Sequence, residues 1–223
     1  MKFKLKLRGK LICTILFPVL LLGIAVMQLS KVTVSNVLED KLDTSLHATA
    51  ISVSNTLMHM DEGDFLVNDA GELVKGEHSI SGHMEMVDSI KRESDVDVSV
   101  FYGDTRYLTT LTDETGKRIV GEKASQEVID KVLKGGESYF IEEAELGGKP
   151  YLAYYMPLYN EGGKTPVGMV FTGISRSHVD EGGKIISYNI STIIFVVVLG
   201  ILVINNIYSV RKEQQLRGKK GGR

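Results

Sequence analysis

Two apolar runs bracket this chain, and the residues between them change period several times. Leu11 to Leu29, LICTILFPVLLLGIAVMQL, contains no charge. It is long enough to cross the roughly 30 Å core of a bilayer, which takes about 20 mostly apolar residues. Ile190 to Ile204 is the second run. Ile185, Ile186 and Tyr188 extend it on one side and Ile207 and Tyr208 on the other, with the tyrosines where interfacial aromatics belong. VVVLGILVI is apolar all round, unlike a surface helix with one buried stripe. The pattern predicts membrane spans over 11–29 and 185–208, with the chain between them folded as a domain over 30–184.

Inside that domain the first signal is helical. Leu38, Leu42, Leu46, Val53, Leu57 and Met60, with Thr49 filling the gap, recur at steps of three and four. A helix is expected to run on from the first span to about Met60, where Asp61 to Asp64 end it. This outer part would be a rod of roughly 45 Å at 1.5 Å per residue. Ser79 to Glu93 predicts a second helix, with Ile80, Met84, Val87 and Ile90 on one face. The period then falls to two. Val96, Val98 and Val100 alternate with Asp97, Ser99 and Phe101, and Arg106 to Thr112 returns after Gly103-Asp104. Ser125 is a suitable N-cap for a short helix that Gly135-Gly136 ends. Three further strands are expected at 138–145, 151–159 and 166–175, joined by loops containing Gly147-Gly148 and Gly162-Gly163. The sum is an α+β domain, a long N-terminal helix packed on an antiparallel sheet of about five strands.

Charge orients the spans. The formal net charge is −2. The first ten residues hold five Lys/Arg and no acid, and six Lys/Arg follow Ile207. Ser30 to Ile185 carries 15 Lys/Arg against 27 Asp/Glu. Basic outer ends place both termini (1–10 and 209–223) in the cytoplasm and the acidic domain outside a cell (inner) membrane. A cleaved signal peptide is the rival reading of the N-terminus, but the run is too long and Ala25-Val26-Met27 is a poor cleavage site. The single cysteine, Cys13, lies in the first run, so the domain cannot use disulfides.

The run VFYGDTRYLTTLTDETGKRIVGEKAS, then GESYF, then GGKPYLAYYMPLYNEGGKTPVGMVFTGISR resembles the single Cache domain, a PAS-like extracytoplasmic sensor of bacterial methyl-accepting chemotaxis proteins and related receptors. The likeness covers roughly Ser30 to Ser187. It implies a two-span receptor, usually a homodimer, that binds a small extracellular organic acid or amino acid between the sheet and its covering loops. Binding would shift the last strand and the second span in chemotaxis-type signal transduction. The chain departs from such receptors after Tyr208, where SVRKEQQLRGKKGGR offers no HAMP proline, heptads, kinase or cyclase. Output is therefore expected from a cytoplasmic signalling partner that this chain does not encode. The alternative is a ligand-free, membrane-anchored interaction or dimerisation protein.

Strand alternation selects the ligand-binding candidates. On the fourth expected strand Leu152, Tyr154, Met156 and Leu158 share the face suited to the long helix. Tyr151, Ala153 and Tyr155 share the other, with phenolic hydroxyls beside a small residue. Arg106 and Thr110 share a face of the second strand, and the Arg106 fork suits a carboxylate. The bland reading of Arg106 is an ion pair with Asp104, or solvation. Tyr139 completes the set. His78, His83 and Glu85 are not spaced as metal ligands, and no metal or cofactor is expected. No nucleophile with an adjacent base, phosphate loop or paired carboxylates is found, so no enzyme is expected. The basic clusters flank the apolar runs and suit lipid headgroups rather than nucleic acid.

Overall fold

The computed structural model describes residues 7–220, with the side chains of the first and last helices described in part. Most of the basic N-terminus, and Arg223, lie outside the described residues. The chain divides into two compact units, Val37–Asp180 and Met1–Asn36 with Glu181–Arg223.

The second of these is helical. It holds the first part of α1 (Leu7–Met58) and most of α4 (Arg176–Lys220). A Cβ at Gly23 would stand 3.1 Å from Ile194 Cγ2, so the two helices approach closely there. Of the Leu11–Leu29 run, the side chains described are Pro18, residues 21–26 and Gln28. Among the described residues no helix is long and apolar enough to cross a membrane. The two-span expectation therefore rests on the sequence.

The Val37–Asp180 unit is built on a five-stranded antiparallel sheet. Its strands are β4 (Asp97–Tyr102), β5 (Thr105–Thr109), β6 (Tyr139–Leu146), β7 (Lys149–Tyr159) and β8 (Pro166–Ser175), in spatial order β5-β4-β8-β7-β6. Both faces are buried. One packs on α1, where Leu46, Ala50, Val53 and Leu57 meet Val98, Val100, Leu108, Leu152, Tyr154, Leu158 and Val170. The stripe is the expected one except that Ala50, not Thr49, fills its centre; Thr49 bonds back to Ser45 O instead. Thr172 Oγ1 donates to Leu46 O at 2.9 Å, a polar stitch between sheet and helix. On the opposite face Phe101, Tyr151, Ala153, Tyr155, Met169 and Phe171 are covered by Leu111, Ile119, Val128 and Val132. Those four come from the connection after β5, which includes α3 (Gln126–Val128) and a π-helical turn (Ile129–Lys134). Ser125 caps α3 as expected, its Oγ accepting from the Val128 N–H at 3.4 Å.

A small three-stranded sheet was not legible in advance. It comprises β1 (Phe65–Val67), β2 (Leu73–Lys75) and β3 (His78–Ser79), strands too short to display a period. It also corrects the second helix. Because the Ile80 and Ser81 N–H groups both donate to Leu73 O, the chain stays tied to β2, and α2 runs only from Met84 to Ser94.

The central strand β8 carries glycine where its neighbours come closest. A Cβ at Gly168 would stand 2.0 Å from the Phe101 carbonyl oxygen and 3.2 Å from Tyr102 Cα, both backbone atoms of β4. Backbone in a paired strand cannot step aside as a flexible side chain can. Gly168→Ala is expected to cost in the upper part of the about 1–3 kcal/mol range of overpacking, measured by chemical denaturation. Wild-type stability in that variant would show that β8 and β4 are not paired here.

Candidate functional site

The face of the sheet away from α1 gathers the polar groups of the core. Along β4 this face presents Asp97, Ser99 and Phe101 in turn, pairing with β8 at Gly173, Phe171 and Met169. The two ends of that row, about 13 Å apart at 3.3 Å per residue, differ in chemistry.

At one end Asp97, 3% exposed, is the buried acid among the described residues. It is fully partnered. Thr110 Oγ1 donates to Oδ1 at 2.7 Å, while Lys91 Nζ and Tyr151 Oη donate to Oδ2 at 2.9 and 3.1 Å. Thr110 Oγ1 in turn accepts from the Val98 N–H at 2.9 Å. Burial, then the charge and hydrogen bond of Asp97, push the Tyr151 phenol far above its ordinary value. Burial pulls the Lys91 ammonium down, but its bonds to Asp97 and Asp95 outweigh this and leave it raised. Between the ends, Ser99 Oγ and Thr109 Oγ1 share a 2.7 Å hydrogen bond.

At the other end stands Arg106, 2% exposed. Its guanidinium lies over the Phe101 ring, 4.9 Å from the centroid. Tyr155 completes an aromatic wall, with ring centroids 6.3 Å from Phe101 and 5.2 Å from Phe171. Neither Nε nor Nη1 of Arg106 has a hydrogen-bond partner. The nearest carboxylate, Glu122, is 57% exposed and 4.0 Å away, beyond hydrogen-bond reach. Asp104 is engaged by Lys123 at 2.8 Å, so neither the Asp104 pair nor solvation describes Arg106. Burial lowers the guanidinium pKa and pushes the Tyr155 phenol up to about 12, the latter against the pull of the Arg106 charge. A buried charged donor without an acceptor is costly, which makes this the one polar group of the face whose chemistry is unfinished.

Two backbone features aim Arg106. The β4–β5 register shifts between Val100 and Phe101, so Phe101 pairs with Arg106 while Val100 pairs with Leu108. Such a bulge re-aims a side chain. Simple alternation would leave Arg106 on the α1 side with Leu108; the bulge turns it to Phe101 instead. Second, the outer edge of β5 is covered by the following loop. The Arg106 N–H donates to Glu122 O at 3.0 Å, and the Gly121 N–H donates to Arg106 O at 2.7 Å.

The expected site residues thus separate. Arg106 and Tyr155 come together. Tyr151 and Thr110 lie on the same face but serve Asp97. Arg106 and Thr110 do share a face, through the bulge rather than through simple alternation, and Thr110 lies just beyond the end of β5. Tyr139 pairs with Tyr155 across β6–β7, yet its hydroxyl donates to Glu127 Oε1 at 2.5 Å and Lys131 sits 3.6 Å over its ring. Asp97, Lys91, Phe101 and Phe171 were not singled out from the sequence. The available signal was the second face of β4, where Asp97 and Ser99 give way to Phe101. The histidines and Glu85 of the sequence reading are separately engaged. His78 pairs with Asp61 and His83 with Ser79 O, while Glu85 pairs with Arg92.

Two measurements check this geometry. Lys91→Met leaves a buried carboxylate short of its cation and is expected to cost about 1–3 kcal/mol in denaturant unfolding. Adding Asp97→Asn should recover part of that loss; strict additivity would mean that the two side chains do not interact. Tyr155 holds its proton to about 12 in the folded state, while an unfolded tyrosine releases it near 10.0. Ionisation of the unfolded chain therefore erodes stability as pH rises from about 10 to 12. Tyr155→Phe should flatten that decline in unfolding curves taken across the window, and an unchanged slope would place the phenol in water.

Residues 78–184 match the family model described as Single cache domain 3. No curated protein matches the chain. Among solved structures, the crystal structure of the DcuS sensor domain from E. coli is similar at 18% sequence identity, covering 65% of this chain and 96% of that one with a TM-score of 0.43. The matched segment takes in β3 through β8, and with it both ends of the polar row and the covering connection. Over residues 78–184 the chain thus matches a single Cache domain, an extracytoplasmic sensor module.

Proposed function

We propose that the chain is a membrane receptor of the chemotaxis type, in which the Cache domain binds a small carboxylate at Arg106. The observation that carries this is the guanidinium itself, buried at 2% exposure with Nε and Nη1 unpartnered. Nε shares one edge of the guanidinium with Nη2 and Nη1 shares the end with Nη2, and either edge is a fork that takes both oxygens of a carboxylate at once. Organic acids and amino acids both offer that group. The aromatic wall of Phe101, Tyr155 and Phe171 would hold the body of the ligand. The role is binding without catalysis.

The apolar runs over 11–29 and 185–208, with basic residues at their outer ends, support a two-pass anchor with the domain outside the inner membrane. Phe171 of the wall belongs to β8, which passes straight into α4 at Arg176. A ligand that bears on Phe171 therefore bears on the strand that leads into α4. It can bias a signalling equilibrium only by its differential affinity for the two states. A homodimer and a cytoplasmic partner complete the proposed receptor.

The test is a comparison of stability and binding in the full chain in detergent. An unpartnered buried cation costs the free protein stability, and an apolar residue of similar volume relieves that cost. Arg106→Leu is expected to leave unfolding temperature unchanged or raise it. The same substitution should abolish the thermal stabilisation that small organic acids or amino acids give the wild type. Arg106→Lys should weaken binding about tenfold or more, because an ammonium cannot reproduce the fork. Ligand stabilisation that survives Arg106→Leu would overturn the reading.

A further inference from the structure

We propose that the Arg106 site selects a monocarboxylate, with no second acid group and no ammonium. This rests on the reading of Arg106 as the carboxylate anchor and narrows it by counting the charges the site can neutralise. Among the described residues, the buried charged side chains are Lys75, Asp97 and Arg106. Lys75 is remote from the site, its ammonium donating to Asp61 O and Gly63 O beside the small sheet. Asp97 is neutralised by Lys91 and takes two further donors, from Thr110 and Tyr151. The buried charge left without a hydrogen-bonded counter-ion is that of Arg106, whose nearest carboxylate is exposed Glu122 at 4.0 Å.

A single carboxylate matches that remainder in charge and can accept from the unpartnered donors of the guanidinium. A second carboxylate finds no free buried cation. The cations of the covering connection are engaged elsewhere: Lys131 lies over Tyr139 and is bound to Glu127 at 3.3 Å, Lys123 is bound to Asp104 at 2.8 Å, and Arg118 to Asp88 at 2.8 Å. The groups around the guanidinium are otherwise neutral. Phe101, Phe171 and Met169 are fully buried, and Tyr155 stays protonated at neutral pH. A dicarboxylate would leave one charge uncompensated against these side chains.

An α-ammonium meets the converse difficulty. It needs an acid close to the guanidinium, and the buried acid already holds an ammonium, that of Lys91. Glu122 is the remaining acid in reach, and it is exposed on the covering loop, where water screens it. The aromatic wall adds that the body of the ligand should be apolar.

The experiment is calorimetric titration of the full chain in detergent with three sets of probes. These are acetate, propionate and benzoate; malonate and succinate; and alanine. The expected result is binding by at least one monocarboxylate, with the dicarboxylates and alanine tenfold or more weaker, and all binding lost in Arg106→Leu. Succinate, malonate or alanine binding as tightly as the best monocarboxylate, and lost in Arg106→Leu, would overturn the selectivity while leaving Arg106 as the anchor. Binding that Arg106→Leu does not alter, or no binding by any probe, would overturn the anchor and the selectivity together.

Discussion

The five-stranded sheet is buried on both faces, and the rest of the domain follows from that constraint. Alternate residues of each strand must suit two different covers. Toward α1 the cover is a regular aliphatic stripe, and the strands answer it with Val98, Val100, Leu152 and Val170. On the other side the cover is the irregular connection between β5 and β6, pinned by a capped turn of helix and a π-helical turn. That cover is less regular, so the sheet beneath it can hold polar groups in a dry place. Each such group needs a partner. Asp97, Ser99 and Thr109 find theirs inside the domain. Arg106 does not.

The bulge between β4 and β5 is as important to the site as any side chain. Without it Arg106 would point into the aliphatic layer, where a guanidinium has no place. With it the charge lands on the Phe101 ring, and the covering loop locks the backbone on both its donor and its acceptor. A single local irregularity therefore sets a buried guanidinium on the polar face while the β4–β8 pairing keeps its register.

Much of this architecture was legible in the residues because it depends on long-range period. The 3.6-residue stripe over 38–57 and the alternation in β4, β7 and β8 are repeated signals, and β8 begins and ends where they placed it. What escaped was short or aperiodic. Three strands of two or three residues give too few alternations to register, and a bulge leaves no mark in composition. The same limit governed the site. Arg106, Tyr155 and Tyr151 were legible as polar residues on strands, but which of them meet depends on the bulge and on Asp97, whose burial no local pattern announces. Tyr151 and Thr110 were chosen for their hydroxyls; those hydroxyls turn out to solvate a buried carboxylate.

The first turn of α4 gives the domain a property of a different kind. Arg176 reaches Glu39 on α1 at 3.2 Å and the Glu142 carbonyl on β6 at 3.0 Å, while His178 grips Asp95, which sits in the left-handed region at the end of α2. Asp95 also shares Lys91 with Asp97. Three separate secondary-structure elements thus vote on the position of one helical turn, through contacts that are short, polar and partly wet. Such a junction behaves as a comparator rather than a hinge. Its position is the balance of several weak holds, so a small redistribution among them shifts the turn without any one of them having to break.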